Sequence, residues 1–120
     1  MALRTFEEIT NDEQAPKWSG HVWDMVSQRD ASDPITGAEM NAELNSISPS
    51  GDTRIRKAIH FLRKHGFPVA SEGPQGRKGY FVARYQDEMV ATLAHLRSRV
   101  RSIEEAIACC EAAQNRLPNR

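Results

Sequence analysis

No apolar run in this sequence approaches the roughly 18 residues needed to cross a bilayer, and the mean hydropathy is −0.60. A membrane span is therefore not expected. The first residues, MALRTFEEITNDE, hold no basic start followed by an apolar stretch, so no secretory leader is expected there either. Cysteine is scarce. The two present, Cys109 and Cys110, are adjacent, which suits neither a disulfide framework nor a zinc site. The expected compartment is the reducing cytoplasm.

Catalytic signatures are missing as well. There is no Ser-His-Asp set, no phosphate-cradling glycine loop before a helix, and no HExxH. The paired carboxylates Glu7-Glu8 and Glu104-Glu105 are sequence neighbours, and on a helix neighbours do not face one another. Histidines occur at 21, 60, 65 and 95. His60 and His65 are five apart, a poor spacing for shared ligation on one helix face. No enzymatic activity, metal or cofactor is expected.

Neither sign of charge is in excess overall, since 16 basic residues meet 16 acidic ones. The distribution is uneven. Residues 1–50 carry Arg4, Lys17 and Arg29 against nine carboxylates, a net of −6. Residues 51–85 carry Arg54, Arg56, Lys57, Arg63, Lys64, Arg77, Lys78 and Arg84 against Asp52 and Glu72, a net of +6. A cationic block of this kind suits a polyanion partner. It is equally what a solvated helix face beside an acidic one would give.

The pattern along the chain predicts a mainly α fold with a small β-hairpin, an α+β class. Residues 1–16 read as a flexible acidic arm. Residues 17–29 place apolar side chains at 18, 22, 25 and 26, a helical stripe, and 30–34 read as a loop. Thr36-Gly-Ala-Glu39 has the form of a capping box for a helix reaching about Leu44. After the turn-rich stretch 45–51, a helix capped by Ser50 or Asp52 runs to Lys64 or His65 and stops at Gly66. Its Ile55, Ile59 and Leu62 share one face. Residues 67–71 and 80–83 read as two short strands around a basic tip, Glu72–Lys78. Pro68 puts the first strand at an edge.

From Asp87 to about Leu117 a heptad repeat takes over. Leu93, Val100 and Ile107 occupy a, and Met89, Leu96, Ile103, Cys110 and Leu117 occupy d; Gln114 is the polar residue at an a position. Such a helix is about 45 Å long, more than a small domain needs. The expected seam for a homodimer is Met89, Leu93, Leu96, Val100, Ile103, Ile107 and Cys110, in either orientation. The competing expectation folds this helix back on its own domain. Cys110 reads as an inert buried thiol, or as one that meets its partner's Cys110 in a parallel pair.

The order helix, helix, turn, helix, basic hairpin is that of a winged helix-turn-helix. Its second turn-linked helix fits the major groove, and cations at the hairpin tip meet phosphates. The segments PITGAEMNAELN, TRIRKAIHFLRKHGFPVASE and GRKGYFVA resemble the N-terminal winged-helix module of the biotin repressor family and related bacterial and phage regulators. Gly37, Glu39, Leu44, Arg56, Ile59, Leu62, Arg63, Gly66, Val69, Gly79 and Tyr80 carry the resemblance, over about 50 residues. The inter-helix turn, Asn45–Asp52, and the wing tip are longer than that family's. Nothing downstream resembles its ligase domain, so no ligase activity is implied. In size and layout the chain also resembles small helix-turn-helix proteins of phages and mobile elements.

The resulting expectation is a winged helix-turn-helix domain over 17–84 and a C-terminal dimerisation helix over 85–117. The whole would act as a cytoplasmic homodimer that binds double-stranded DNA in a sequence-specific way, in transcription or in phage or plasmid replication. Thr53, Arg54, Arg56, Lys57, His60, Lys64, Arg77 and Lys78 are the candidate DNA contacts, with Arg54, Lys57 and Thr53 the first choices. Arg63 is expected either there or in an ion pair with the acidic first half. Ile55, Ile59, Leu62, Phe67, Val69, Tyr80 and Val82 are expected in the core. Trp18 and Trp23 are expected as core or interface anchors. The alternative reading is a protein-interaction module, an adaptor or inhibitor that does not bind DNA.

Overall fold

The first helix among the described residues, α1 (Ser19–Val26), turns its apolar stripe inward, so that Val22 and Val26 are fully buried. A computed structural model supplies these coordinates; it describes residues 15–51, 53–72 and 77–120. The arm expected over 1–16 thus lies outside the described residues apart from Ala15 and Pro16, as do the Asp52 cap and residues 73–76 of the hairpin tip. Helix α2 (Gly37–Asn45) begins at the expected capping box. Thr36 Oγ1 accepts from Glu39 N at 3.1 Å, and Glu39 Oε1 accepts from Thr36 N at 3.2 Å. Glu39 Oε1 also accepts from Thr36 Oγ1 at 3.0 Å, and the bonds from Thr36 N and Oγ1 hold the Glu39 carboxyl below its ordinary pKa. Ile35 and Met40, at the two staple positions flanking this cap, are both buried.

Helix α3 (Thr53–Lys64) is the most amphipathic element. Its closing turn is a Schellman motif. Gly66 N donates to Arg63 O at 3.0 Å and Phe67 N to Leu62 O at 3.1 Å, with Gly66 at φ 89°. Leu62 and Phe67, which this motif brings together, are both core residues. Trp23 stacks edge-on against Phe67, with ring centroids 4.8 Å apart, and so anchors α1 at the same place.

Strands β1 (Val69–Glu72) and β2 (Lys78–Val82) form the antiparallel hairpin, paired Val69↔Val82, Ala70↔Phe81 and Glu72↔Lys78, with an irregularity between Ala70 and Glu72. Phe81 is fully buried. Beyond β2, Ile35 makes an isolated bridge to Tyr80: Ile35 N donates to Tyr80 O at 2.9 Å and Tyr80 N to Ile35 O at 2.7 Å. The sequence pattern marks 30–34 as loop and offers Ile35 no partner. Gly79 lets this crossing form. It sits at φ 133°, and a Cβ there would lie 2.9 Å from Pro34 Cβ and 3.0 Å from Ile35 O. Gly79→Ala is therefore expected to cost about 2–3 kcal/mol, since both the backbone and the space forbid it. Urea unfolding measures this, and a loss under about 0.5 kcal/mol would contradict the geometry.

A 3-10 turn (Gln86–Met89) leads into α4 (Val90–Asn115), interrupted by no proline or glycine. The long helix is as expected, and from Arg97 onward it is exposed on every side. The longest dimension of the molecule is 54 Å, against 34 and 31 Å for the others. The chain is thus mainly helical, with a small antiparallel hairpin and a long C-terminal helix, the α+β organisation the sequence predicts. Among the described residues no helix is long and apolar enough to cross a membrane.

A candidate nucleic-acid interface on helix α3

The buried and exposed residues of α3 divide along its axis. Arg54, Ile55, Ala58, Ile59, Phe61 and Leu62 are buried, while Thr53, Arg56, Lys57, His60 and Lys64 are exposed. At 100° per residue the exposed set makes one contiguous face. That face carries no carboxylate. It forms the floor of a groove of about 670 Å³, whose other walls are Tyr80 of β2 and Leu96 and Arg99 of α4. Five of the eight expected contacts, Thr53, Arg56, Lys57, His60 and Lys64, are brought together here.

Arg54 is not among them. It is only 8% exposed. Its Nε and Nη2 donate to Asn41 Oδ1 at 3.2 and 3.1 Å, Nη2 also to Asn45 Oδ1 at 2.9 Å, and Nη1 to Ser48 O at 2.7 Å. Its guanidinium carbon lies 4.9 Å from the centroid of the Trp18 ring. The side chain the sequence ranks first for reading DNA is thus turned inward, where it ties the long α2–α3 turn to both helices. Asn45 Oδ1 accepts from Ser50 N at 3.0 Å in the same turn. The lengthened turn is held by a polar network rather than left loose. A signal for this was present: Arg54, Ala58 and Leu62 stand one turn apart, in a column whose other members are apolar.

The wing residues divide too. Lys78 is exposed at the start of β2 and lines an adjoining hollow of about 380 Å³. Arg77 is exposed, but its Nη1 donates to Ser32 O, tying the hairpin to the 30–34 loop instead of leaving the guanidinium wholly outward. That loop is ordered by Asp30, whose Oδ1 accepts from Ser32 N at 2.9 Å and Asp33 N at 3.2 Å. Hydrogen bonds from Ser32 hold the Asp30 carboxyl below its usual range.

Among the described residues Arg63 forms no ion pair with a carboxylate of the first half. Its Nε donates to Val69 O at 2.9 Å, and its Nη2 is buried with no hydrogen-bond partner among the described residues. Burial depresses the pKa of this guanidinium, Tyr80 partly restores it, and Arg99 depresses it again.

Sequence reasoning missed Thr92 and Arg99. Thr92 is 1% exposed, and its Oγ1 accepts from Ser71 N at 3.0 Å and Glu72 N at 3.4 Å, docking the root of α4 on β1. Arg99 follows two turns later on the same side. The expected seam also changes at its start. Leu96 is half-buried beside α3, and Met89 is half-buried in the 3-10 turn, so neither projects freely outward. Leu93, Val100, Ile103, Ile107 and Leu117 are 39%, 53%, 56%, 51% and 69% exposed, so the helix does not fold its apolar stripe back onto its own domain. Cys109 and Cys110 are free and exposed in the single chain, so any burial of Cys110 has to come from a partner along the stripe.

Against models of known protein families, curated proteins and solved structures the chain gives no match.

Proposed function

We propose that the chain is a winged helix-turn-helix protein that binds double-stranded DNA. In this reading α3 lies in the major groove, the β1–β2 hairpin serves as the wing, and α4 pairs two copies as a homodimer. A role in transcription, or in phage or plasmid replication, follows from sequence-specific binding by such a dimer. The observation that carries the reading is the exposed face of α3. Arg56, Lys57, His60 and Lys64 share it with Thr53, and no carboxylate interrupts them. A helix about 10–12 Å across fits a groove about 12 Å wide, and cations on its flanks reach the phosphates beside it.

The test is duplex binding measured at several salt concentrations. Lys57→Ala combined with Lys64→Ala is expected to weaken binding at least tenfold. Each lost phosphate contact should reduce the log–log salt slope by about 0.9 per protomer. Both residues are exposed, so stability should change by less than about 0.5 kcal/mol. Unchanged affinity in the double variant would remove α3 from the interface. Failure of the wild-type chain to bind any duplex at low salt would favour the protein-docking alternative.

A further inference from the structure

The groove over α3 has a wall that the helix-turn-helix itself does not provide. Leu96 and Arg99 of α4 line it, and the same two residues, with Arg63 and Tyr80, line the adjoining hollow beneath Lys78. Arg99 is exposed, and no carboxylate among the described residues forms an ion pair with it or with Arg63. Two side chains of like charge thus line the same two hollows, and among the described residues neither is ion-paired. Among the described residues Glu72 is the only carboxylate lining either hollow. It lies in the second, opposite Lys78 in the strand register.

This juxtaposition is built, not incidental to a free helix. Thr92, Leu96 and Arg99 stand on one side of α4, and Thr92 Oγ1 accepts from two β1 amides, fixing both the rotation and the height of that side. Arg63 is fixed from beneath by its bond to Val69 O. Its Nη2 is covered and unpartnered, so Arg63 contributes field while Arg99, in solvent, is placed to make contact. A guanidinium fork matches two oxygens of a phosphate, and a second cation lining the same groove strengthens the hold.

We propose that Arg99 of α4, seated over Arg63, grips one phosphodiester of the duplex, so that the long helix is part of the DNA-binding surface as well as the pairing element. This rests on the DNA-binding reading given above. It adds that the strand flanking the major groove passes between α3 and α4, with its phosphate bracketed by Lys64 and His60 on one side and Arg99 on the other. All of these residues line the one groove.

The test compares three full-length chains on one selected duplex across a salt series: wild type, Arg99→Ala and Arg101→Ala. Arg101 is exposed, about 200° around α4 from Arg99, and serves as the charge-matched control. Arg99→Ala is expected to lose about five- to tenfold in affinity at low salt and to lower the salt slope by about 0.9 per protomer; Arg101→Ala should match wild type. Arg99→Lys should recover the slope but only part of the affinity, because an ammonium keeps the charge and loses the fork. If wild type binds and Arg99→Ala binds equally well with the same slope, the seat is refuted while the role of α3 stands. If Arg101→Ala falls as far as Arg99→Ala, the effect is diffuse charge and the seat is again refuted. If wild type binds no duplex, both readings fall together.

Discussion

Arg54→Ala is expected to destabilise the fold by about 2–3 kcal/mol while leaving duplex affinity per folded molecule within about threefold of wild type. The stability figure follows from what the guanidinium does. Four hydrogen bonds reach Asn41, Asn45 and Ser48, and the guanidinium carbon lies 4.9 Å from the centroid of the Trp18 ring. Bonds with one charged partner are worth roughly 1.5–3 kcal/mol each where water cannot replace them. Here the loss is partly offset, because Asn45 is exposed to water and its amide oxygen keeps the bond from Ser50 N when Arg54 is gone. The sum therefore falls well short of four full bonds. Lysine cannot substitute, since one ammonium on a flexible stem does not reach three separate oxygens in a plane. Urea unfolding of Arg54→Ala, set beside Lys57→Ala, separates the two roles. Lys57 should change binding and barely touch stability; Arg54 should do the reverse. A stable Arg54→Ala chain that no longer binds DNA would return this residue to the interface.

Ile103→Asp is expected to abolish self-association while leaving each chain folded. Ile103 is 56% exposed on α4, in line with Val100 and Ile107, and no part of its own domain covers it. In a two-stranded seam it would be buried twice, once from each copy. Burying an isoleucine side chain is worth about 1.5–3 kcal/mol, and a carboxylate in its place must also be desolvated. Doubling by symmetry makes the change at least a hundredfold in the dimer dissociation constant, a factor that corresponds to about 2.8 kcal/mol. Sedimentation equilibrium at micromolar concentration reads it directly. Near-ultraviolet circular dichroism of Trp18 and Trp23, both packed far from the seam, should not change. Binding to a two-fold site should fall with the loss of linked half-sites, while binding to a single half-site should not. If wild-type chains sediment as monomers at tens of micromolar, the seam reading is wrong.

Local chemistry explains why some of this was legible in the sequence and some was not. The Thr36–Glu39 box, the Gly66 stop and the apolar stripe of α3 each depend on residues a few positions apart, so spacing alone reveals them. The uncovered stripe of α4 was legible for the same reason. Arg54 was misread because a charged residue is ordinarily exposed, and its neutral acceptors lie 6 to 13 positions away on another element. Thr92 was passed over because the stronger heptad signal around it describes the outer side of α4, whereas its own partners are amides of β1. The Ile35 bridge pairs residues 45 positions apart, and no short-range pattern encodes such a pairing. Arg77 looked like a tip cation; its bond to Ser32 O spans the same distance. What escaped the sequence is contact between elements, which is also what decides which cations face outward.

A two-stranded ribbon ordinarily presents two raw flanks, each a template on which a stranger's backbone can grow a further strand. Here Ile35 occupies the flank of β2, and the Thr92 hydroxyl takes up two amides on that of β1. With both flanks engaged, this small hairpin is guarded against the edge-on stacking that seeds fibrils, which leaves the greasy stripe of the helix as the apolar surface still uncovered.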